Sequence, residues 1–419
     1  MWLIYQLAYA VALLFAGPFL LLRRGRHYLT SLRGRLGLDL PDPAGRPLWL
    51  HAVSVGEVGV AATLAAALPA ELPLLVTTVT PTGQERARAL FAGRAQVAYL
   101  PFDLGPPVRR FFLRCRPAAL VLAEGDLWPL VLRRARREGL PMAVVNGRVS
   151  DRSFARLRRL SGLVGPLFDG IAVFGVQTPA DAERLRRLGV SEGRIVTTGN
   201  LKFETDEPPE RPELERLVGR LAAGRPVLVA GSTMAGEEES VLRAFTRLGG
   251  GERALLVLAP RHPERFDAVA ARIEAAGLAL ARRSSPDGVE RPSVLLLDTL
   301  GELASLYRHT RAAFVGGTLV PTGGHNPLEA ARFGVPVAVG PSMENFRAMA
   351  EEFDRRRAWA RVAGVEDLAA IWRAWIEDPA EAERVGGLGE RLVADNRGAL
   401  ARTLELLRPV IAAAEEGAA

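Results

Sequence analysis

Two runs of short apolar strands, each strand followed by a turn and a helical stretch, constrain this chain more than any other feature of it. In the first run Leu48–Val53, Leu74–Val79, Gln96–Leu100, Ala118–Ala123, Met142–Val145, Gly170–Val176 and Arg194–Thr198 read as strands. The pattern stops at Thr205–Pro212, TDEPPERP, which is acidic and too proline-rich for a strand or helix interior and reads as a linker. It restarts with Pro226–Ala230, Ala254–Ala259, Ser293–Leu297, Ala312–Val315 and Val335–Val339, and from Val365 the chain reads as helical. Strands alternating with helices build parallel sheets covered on both faces. The expectation is therefore an α/β chain of two Rossmann-like doubly wound domains.

The expected organisation is an anchor and basic segment over 1–40, a first domain over 41–204, a linker at 205–212, a second domain over 213–395 and a closing helix over 396–419. A length of 419 residues suits two domains of ordinary size. A net charge of +7 comes with 47 acidic residues, so nucleic acid is not the expected partner, and acidic lipid or phosphate fits as well. One cysteine, Cys115, excludes an intramolecular disulfide. Of 54 lysines and arginines a single one, Lys202, is lysine. Its survival suggests a place where a compact ammonium is needed and a guanidinium fork does not fit.

Trp2–Leu22 is nearly unbroken apolar sequence, interrupted by Gln6 and followed at once by Arg23, Arg24 and Arg26. That is long enough to span a bilayer, and the basic flank would keep the rest of the chain in the cytoplasm. A shallow insertion bent at Gly17-Pro18 is the alternative.

Functional residues of doubly wound sheets gather beyond the carboxyl ends of the strands. His51, Glu57, Thr80, Glu124, Asn146 and Lys202 all fall at or just after expected strand ends. Glu57 could complete a capping box with Ser54, or serve as a general base beside Gly56. Glu124 and Asp126 could cap the next helix, or form an acid pair with one raised pKa. In the second run Arg261 and His262 follow an apolar strand directly and are pinned between Pro260 and Pro263, a rigid presentation that suits a phosphate. Leu300-Gly301-Glu302 either offers backbone groups to a base or starts a helix. Between Ala312 and Pro336 a strand leads into Gly316-Gly317, Gly323-Gly324 and a helix start at Asn326-Pro327-Leu328-Glu329. Free amides at such a loop would hold an anion, although Asn326 and Glu329 could also simply cap. The five histidines show no metal-ligand spacing, and no metal or cofactor is expected.

These segments together resemble the 3-deoxy-D-manno-octulosonic acid (Kdo) transferases of lipopolysaccharide synthesis. The runs that carry the resemblance are HAVSVGEV at His51–Val58, TTVTPTGQ at Thr77–Gln84, NGRVSDRS at Asn146–Ser153 and GNLKF at Gly199–Phe203. AGST at Ala230–Thr233, PRHPERF at Pro260–Phe266, DTLGEL at Asp298–Leu303 and FVGGTLVPTGGHNPLEAA at Phe314–Ala331 continue it in order. The resemblance implies a GT-B fold and metal-independent, inverting transfer of Kdo from CMP-Kdo to the lipid A precursor at the cytoplasmic face of the inner membrane. It implies that Glu57 is the general base, and that Glu124 and Lys202 attend the transition state. It assigns Pro260, Arg261, Leu300, Gly301, Glu302, Asn326, Pro327, Leu328 and Glu329 to CMP. The sequence departs from the family pattern at Gly125-Asp126, Met234-Ala235 and Ser342-Met343-Glu344. The competing readings are a membrane-associated GT-B enzyme using a UDP-sugar, or a non-catalytic membrane-anchored nucleotide-binding protein.

Overall fold

The computed structural model describes the backbone except at residues 1, 25, 44, 160, 205, 206, 287 and 419, and additionally leaves out the side chains at 16–30, 161, 163, 164, 348, 417 and 418. The helix Trp2–Arg24 runs through Gly17-Pro18, while the side chains of Arg23, Arg24 and Arg26 and the first two linker positions lie outside the described residues.

The chain forms two compact units, one of Met1–Glu204 with Gly398–Ala419 and one of Thr205–Arg397. In the first, strands β1 (Leu48–His51), β2 (Leu74–Thr78), β3 (Gln96–Tyr99), β4 (Ala119–Ala123), β5 (Met142–Gly147), β6 (Val173–Val176) and β7 (Ile195–Thr197) form one sheet. Their order is β3-β2-β1-β4-β5-β6-β7, and every pairing is parallel. The central strands β1, β2, β4 and β5 are buried along their whole length, as strands with helices on both faces must be. Trp49, Phe111, Phe112, Leu120 and Phe174 fill one face of this sheet, and Leu48, Leu64, Val76, Phe91 and Val121 the other.

The second unit repeats the plan with β8 (Val227–Thr233), β9 (Leu255–Pro260), β10 (Leu280–Arg282), β11 (Val294–Leu296), β12 (Ala312–Val315), β13 (Val337–Val339) and β14 (Ala360–Arg361). Their order is β10-β11-β9-β8-β12-β13-β14, again all parallel. Phe245, Phe314, Trp372 and Trp375 anchor its core. In both sheets the strand order reverses beside the first strand, between β1 and β4 and between β8 and β12. Those reversals open the crevices in which open α/β sheets bind ligands.

Linker residues Glu207 and Pro209 fasten to the second unit: Glu207 pairs with Arg308 at 3.1 Å, and the Pro209 carbonyl accepts the Ser305 hydroxyl at 2.8 Å. The closing helix, Ala399–Ala418, lies with the first unit, where Ala399, Leu407, Val410 and Ala414 are buried in the core.

The expected bilayer-spanning segment finds no support in the described residues. Among the described residues no helix is long and apolar enough to cross a membrane. The helix Trp2–Arg24 is instead fastened to the first unit along one face. The Tyr5 hydroxyl donates to Asp103 at 2.7 Å, and Gln6 accepts the Gly105 N–H at 3.0 Å. Asp103 also accepts the N–H groups of Leu130 and Val131, at the start of the helix Pro129–Arg137, while holding Tyr5. Leu3, Ile4, Leu7, Val11, Leu14 and Phe15 face outward. A helix tied down through polar groups in its first turns is not surrounded by lipid there.

Candidate active site

In the first unit, β1 ends at His51 and the turn Ala52-Val53-Ser54 feeds the helix Val55–Ala66. Glu57 lies in that helix's first turn and is almost fully buried. One carboxylate oxygen accepts the Val53 N–H and the other the Ser54 hydroxyl, each at 2.8 Å. A reciprocal capping box is absent, because the Ser54 side chain accepts nothing from the helix and serves the carboxylate instead. Burial pushes the Glu57 pKa up to about 7, with the charges of Glu124 and Asp126 adding to the rise and the bonds from Val53 and Ser54 opposing it. A carboxylate that titrates near neutral pH is matched to taking a proton in the physiological range.

The loop beneath is fixed by Thr80, whose hydroxyl donates to the Val53 carbonyl at 3.2 Å and accepts the Gly83 N–H at 3.1 Å. A Cβ at Gly83 would lie 2.7 Å from that hydroxyl, so the helix beginning at Pro81 approaches this closely only because glycine stands there.

Glu124 follows β4, directly across the switch point, with its backbone at φ +60°. Its carboxylate is ion-paired with the Lys202 ammonium. Lys202 sits in the turn Leu201–Phe203 beyond β7, held because Leu201 and Phe203 are buried on either side of it. A Cβ on Gly56 would be 3.3 Å from the Lys202 Nζ, so the ammonium lies over the first turn of the Glu57 helix. The structure thus brings Glu57, Glu124 and Lys202 together from three separate strand ends. Asp126 joins them as a carboxyl with a raised pKa, from burial first and then from Glu124, with Arg156 acting against the rise.

In the second unit Arg261 follows β9, and its backbone N–H donates to the Thr233 carbonyl of β8 at 3.0 Å. Its guanidinium lowers the pKa of His325, secondary to burial, and opposes the burial that raises that of Glu329. Arg261, His262, His325 and Glu329 therefore form one electrostatic cluster. The turn Pro263–Arg265 beside it is pinned by a two-pronged ion pair from Arg265 to the buried Glu238, at 2.7 and 2.9 Å. Pro327, not Asn326, is the cap position of the helix beginning at Leu328, although the Asn326 side chain accepts the Leu328 N–H at 3.1 Å; Pro327 and Leu328 are buried. Leu300 is 69 % exposed, and Gly301 beside it has φ +76°. Glu302 is committed to Arg283, which donates twice at 3.1 and 3.0 Å, rather than standing free.

Two expectations for this loop are corrected. The helix after Asn326-Pro327 is a single turn, Leu328–Ala331, too short to carry a useful dipole. The glycine loop's amides are also already spent. Gly316 donates to the Gly231 carbonyl, Gly323 to the Ser342 hydroxyl and Gly324 to the Gly317 carbonyl. Gly317, Thr318 and Leu319 donate to Glu237 at 2.6, 2.9 and 2.8 Å, and Met234 adds a fourth bond at 2.9 Å. The anion in this amide nest is the protein's own carboxylate. Sequence reading missed Glu237; its one signal was the acid run Glu237-Glu238-Glu239 following Gly236, between β8 and the helix Glu238–Leu248. Among the described residues no group of three or more His, Cys, Asp or Glu is arranged to hold a metal ion.

Two parallel doubly wound sheets, with carboxylate chemistry at the switch point of one and a cationic cluster at strand ends of the other, define a two-unit α/β protein. Residues 30–205 match the profile of the family described as 3-deoxy-D-manno-octulosonic-acid transferase. A 3-deoxy-D-manno-octulosonic acid transferase of Bordetella pertussis is 36 % identical over 389 residues, covering 89 % of this chain and 90 % of the relative. Another, of Haemophilus influenzae, is 33 % identical and covers 93 % and 92 %. The solved C-terminal CMP-Kdo binding domain of WaaA from Acinetobacter baumannii is 31 % identical, covers 43 % of this chain and 96 % of that one, and has a TM-score of 0.41. The chain belongs to the Kdo transferase family and is a glycosyltransferase.

Proposed function

We propose that this protein transfers Kdo from CMP-Kdo to the lipid A precursor, lipid IVA, with inversion at the anomeric carbon. The observation that carries the reading is Glu57, a buried carboxylate whose pKa of about 7 is set beside the Glu124–Lys202 pair. The acceptor hydroxyl gives its proton to Glu57 as its oxygen attacks the anomeric carbon. The bond from that carbon to the CMP phosphate breaks, and the electron pair leaves on the phosphate oxygen. Lys202 is already paired with Glu124, so it balances the carboxylates around Glu57 as well as offering charge to the transition state. Arg261 supplies a fixed cation for the phosphate, and Glu329, Asn326, Pro327, Leu328, Leu300, Gly301 and Pro260 surround the CMP moiety. Glu302 contributes by holding its loop to Arg283. With the amides of Gly317 to Leu319 taken up by Glu237, Arg261 bears more of the phosphate's charge than a glycine-loop site would ask of it.

The test is transfer from freshly made CMP-Kdo to a tetra-acylated lipid A precursor with a chelator present, beside parallel reactions with UDP-sugars. Product from CMP-Kdo alone supports the reading, and product from a UDP-sugar alone overturns it. In the same assay Lys202→Arg is expected to lose about 10-fold or more in kcat, because a planar guanidinium does not replace an ammonium packed over Gly56. Full activity in that variant would remove Lys202 from the mechanism.

The acceptor is a lipid, and the outward apolar row from Leu3 to Phe15 fits attachment within one leaflet of the inner membrane, at its cytoplasmic face. The helix Asp151–Arg159 has no buried residue and exposes Arg152, Arg156, Arg158 and Arg159, a charge pattern suited to anionic headgroups. Replacing both Leu7 and Phe15 with aspartate is expected to release the protein from anionic vesicles in a flotation assay, with turnover of a detergent-dispersed acceptor retained. Unchanged flotation would dismiss this helix as the attachment site.

A further inference from the structure

Asn146, the last residue but one of β5, has its backbone at φ +53°, a region where asparagine is among the few non-glycine residues found regularly. Glu124, at the end of the neighbouring β4, has φ +60°. Two left-handed residues at adjacent strand ends are uncommon, and such local strain persists only where the surroundings hold it. The pairing of β5 with β6 also shifts register between Val144 and Gly147, which leaves Asn146 out of the ladder and turns it to other partners.

Those partners are specific. The Asn146 side chain is fully buried. Its Oδ1 accepts the Leu201 N–H at 2.8 Å, one residue before Lys202. Its Nδ2 donates to the Glu124 carboxylate at 3.4 Å, to the same oxygen that Lys202 pairs with. Its own carbonyl accepts the Gln177 side chain at 3.0 Å, which fixes the turn from behind. One uncharged amide therefore holds the backbone that carries the cation and touches the carboxylate that the cation neutralises.

We infer that Asn146 is a positioning residue for transfer, which sets the Glu124–Lys202 pair and through it the charge that Glu57 experiences. The inference rests on Glu57 being the base. The charged groups around that base are Glu124 and Asp126 from the loop after β4 and Lys202 from the turn beyond β7, with Arg156 reaching them through Asp126. Among these groups Asn146 supplies a hydrogen-bond donor without adding charge.

Asn146→Asp and Asn146→Gly separate this role from a structural one. Aspartate keeps the shape and the acceptor for Leu201 but places a like charge against Glu124. A like charge disfavours ionisation of its neighbours. The acid limb of the kcat/KM profile is expected to move upward by about one pH unit, with kcat reduced about 10- to 100-fold and the donor KM unchanged. Glycine accepts the left-handed backbone and loses both side-chain bonds, so kcat should fall similarly without the upward move of the limb. Wild-type kcat and pH profile in both variants, or a lowered melting temperature with turnover per folded molecule intact, would overturn the inference. Glu57→Gln, assayed alongside, separates the two levels. Activity there overturns the base assignment, whereas inactivity there with wild-type behaviour in both Asn146 variants overturns the role of Asn146 alone.

Discussion

Glu57→Gln is expected to lose transfer by about 10³-fold while raising the stability of the protein above pH 7. The activity loss follows from removing the proposed general base, since glutamine cannot take up a proton from the attacking hydroxyl. The gain in stability follows from linkage. The folded-state pKa of Glu57 is raised from 4.5 to about 7, so the folded protein holds its proton more tightly than the unfolded chain does. That contribution is complete below pH 4.5 and is lost as pH rises through about 7, where the buried group must carry a charge. Glutamine stays neutral, keeps an acceptor for the Val53 N–H, and presents its amide to the Ser54 hydroxyl, which can turn to accept. At pH 8 the variant should therefore be more stable by about 2–3 kcal/mol, with the gap closing toward pH 4.5. Denaturant unfolding at pH 5 and pH 8, wild type beside variant, measures it. A difference independent of pH would mean that the burial of Glu57 does not set its titration.

The largest loss of stability is expected from Glu237→Ala. Its carboxylate is fully buried and satisfies four backbone N–H groups, and alanine would leave all four without a partner in a site closed to water. An unsatisfied buried donor costs about 1–3 kcal/mol. Allowing for relaxation of the loop, the second unit should lose on the order of 4 kcal/mol or more. Because two units give no guarantee of a single transition, hydrogen exchange at Gly317, Thr318 and Leu319 is the direct measurement. Exchange there should accelerate by at least about 10²-fold, and unchanged protection would show that the loop does not depend on the carboxylate.

Much of the architecture was legible because parallel strands buried on both faces leave short, wholly apolar runs such as Leu255–Ala259 that little else produces. The strands that went unread, β10 and β14, are the outermost of their sheet, of three and two residues, and too short to carry such a run. Glu57, Glu124 and Lys202 were legible as strand-end residues because the carboxyl edge of a parallel sheet gathers them whatever their separation in sequence. What could not be read was which partner each group would find. Asn146 reaches Leu201 across 55 positions, and Glu237 reaches Leu319 across 82, and no local pattern announces either. The glycine loop was misread for the same reason. Its composition states that amides can converge on an anion, but not whether that anion arrives with a ligand or is built into the chain.

The closing helix has a consequence for how this protein comes into being. Residues 205–397, a complete unit, are inserted into another whose core still needs Leu407, Val410 and Ala414. During synthesis the inserted unit emerges whole while the earlier one waits with β4, β5 and β6 uncovered where the closing helix will pack. The half that bears Glu57 can therefore finish folding only after the closing helix leaves the ribosome, although its outward apolar row from Leu3 to Phe15 has emerged well before then. If that row docks on lipid as proposed, membrane capture would precede completion of the fold, and the nascent enzyme would mature beside its proposed acceptor.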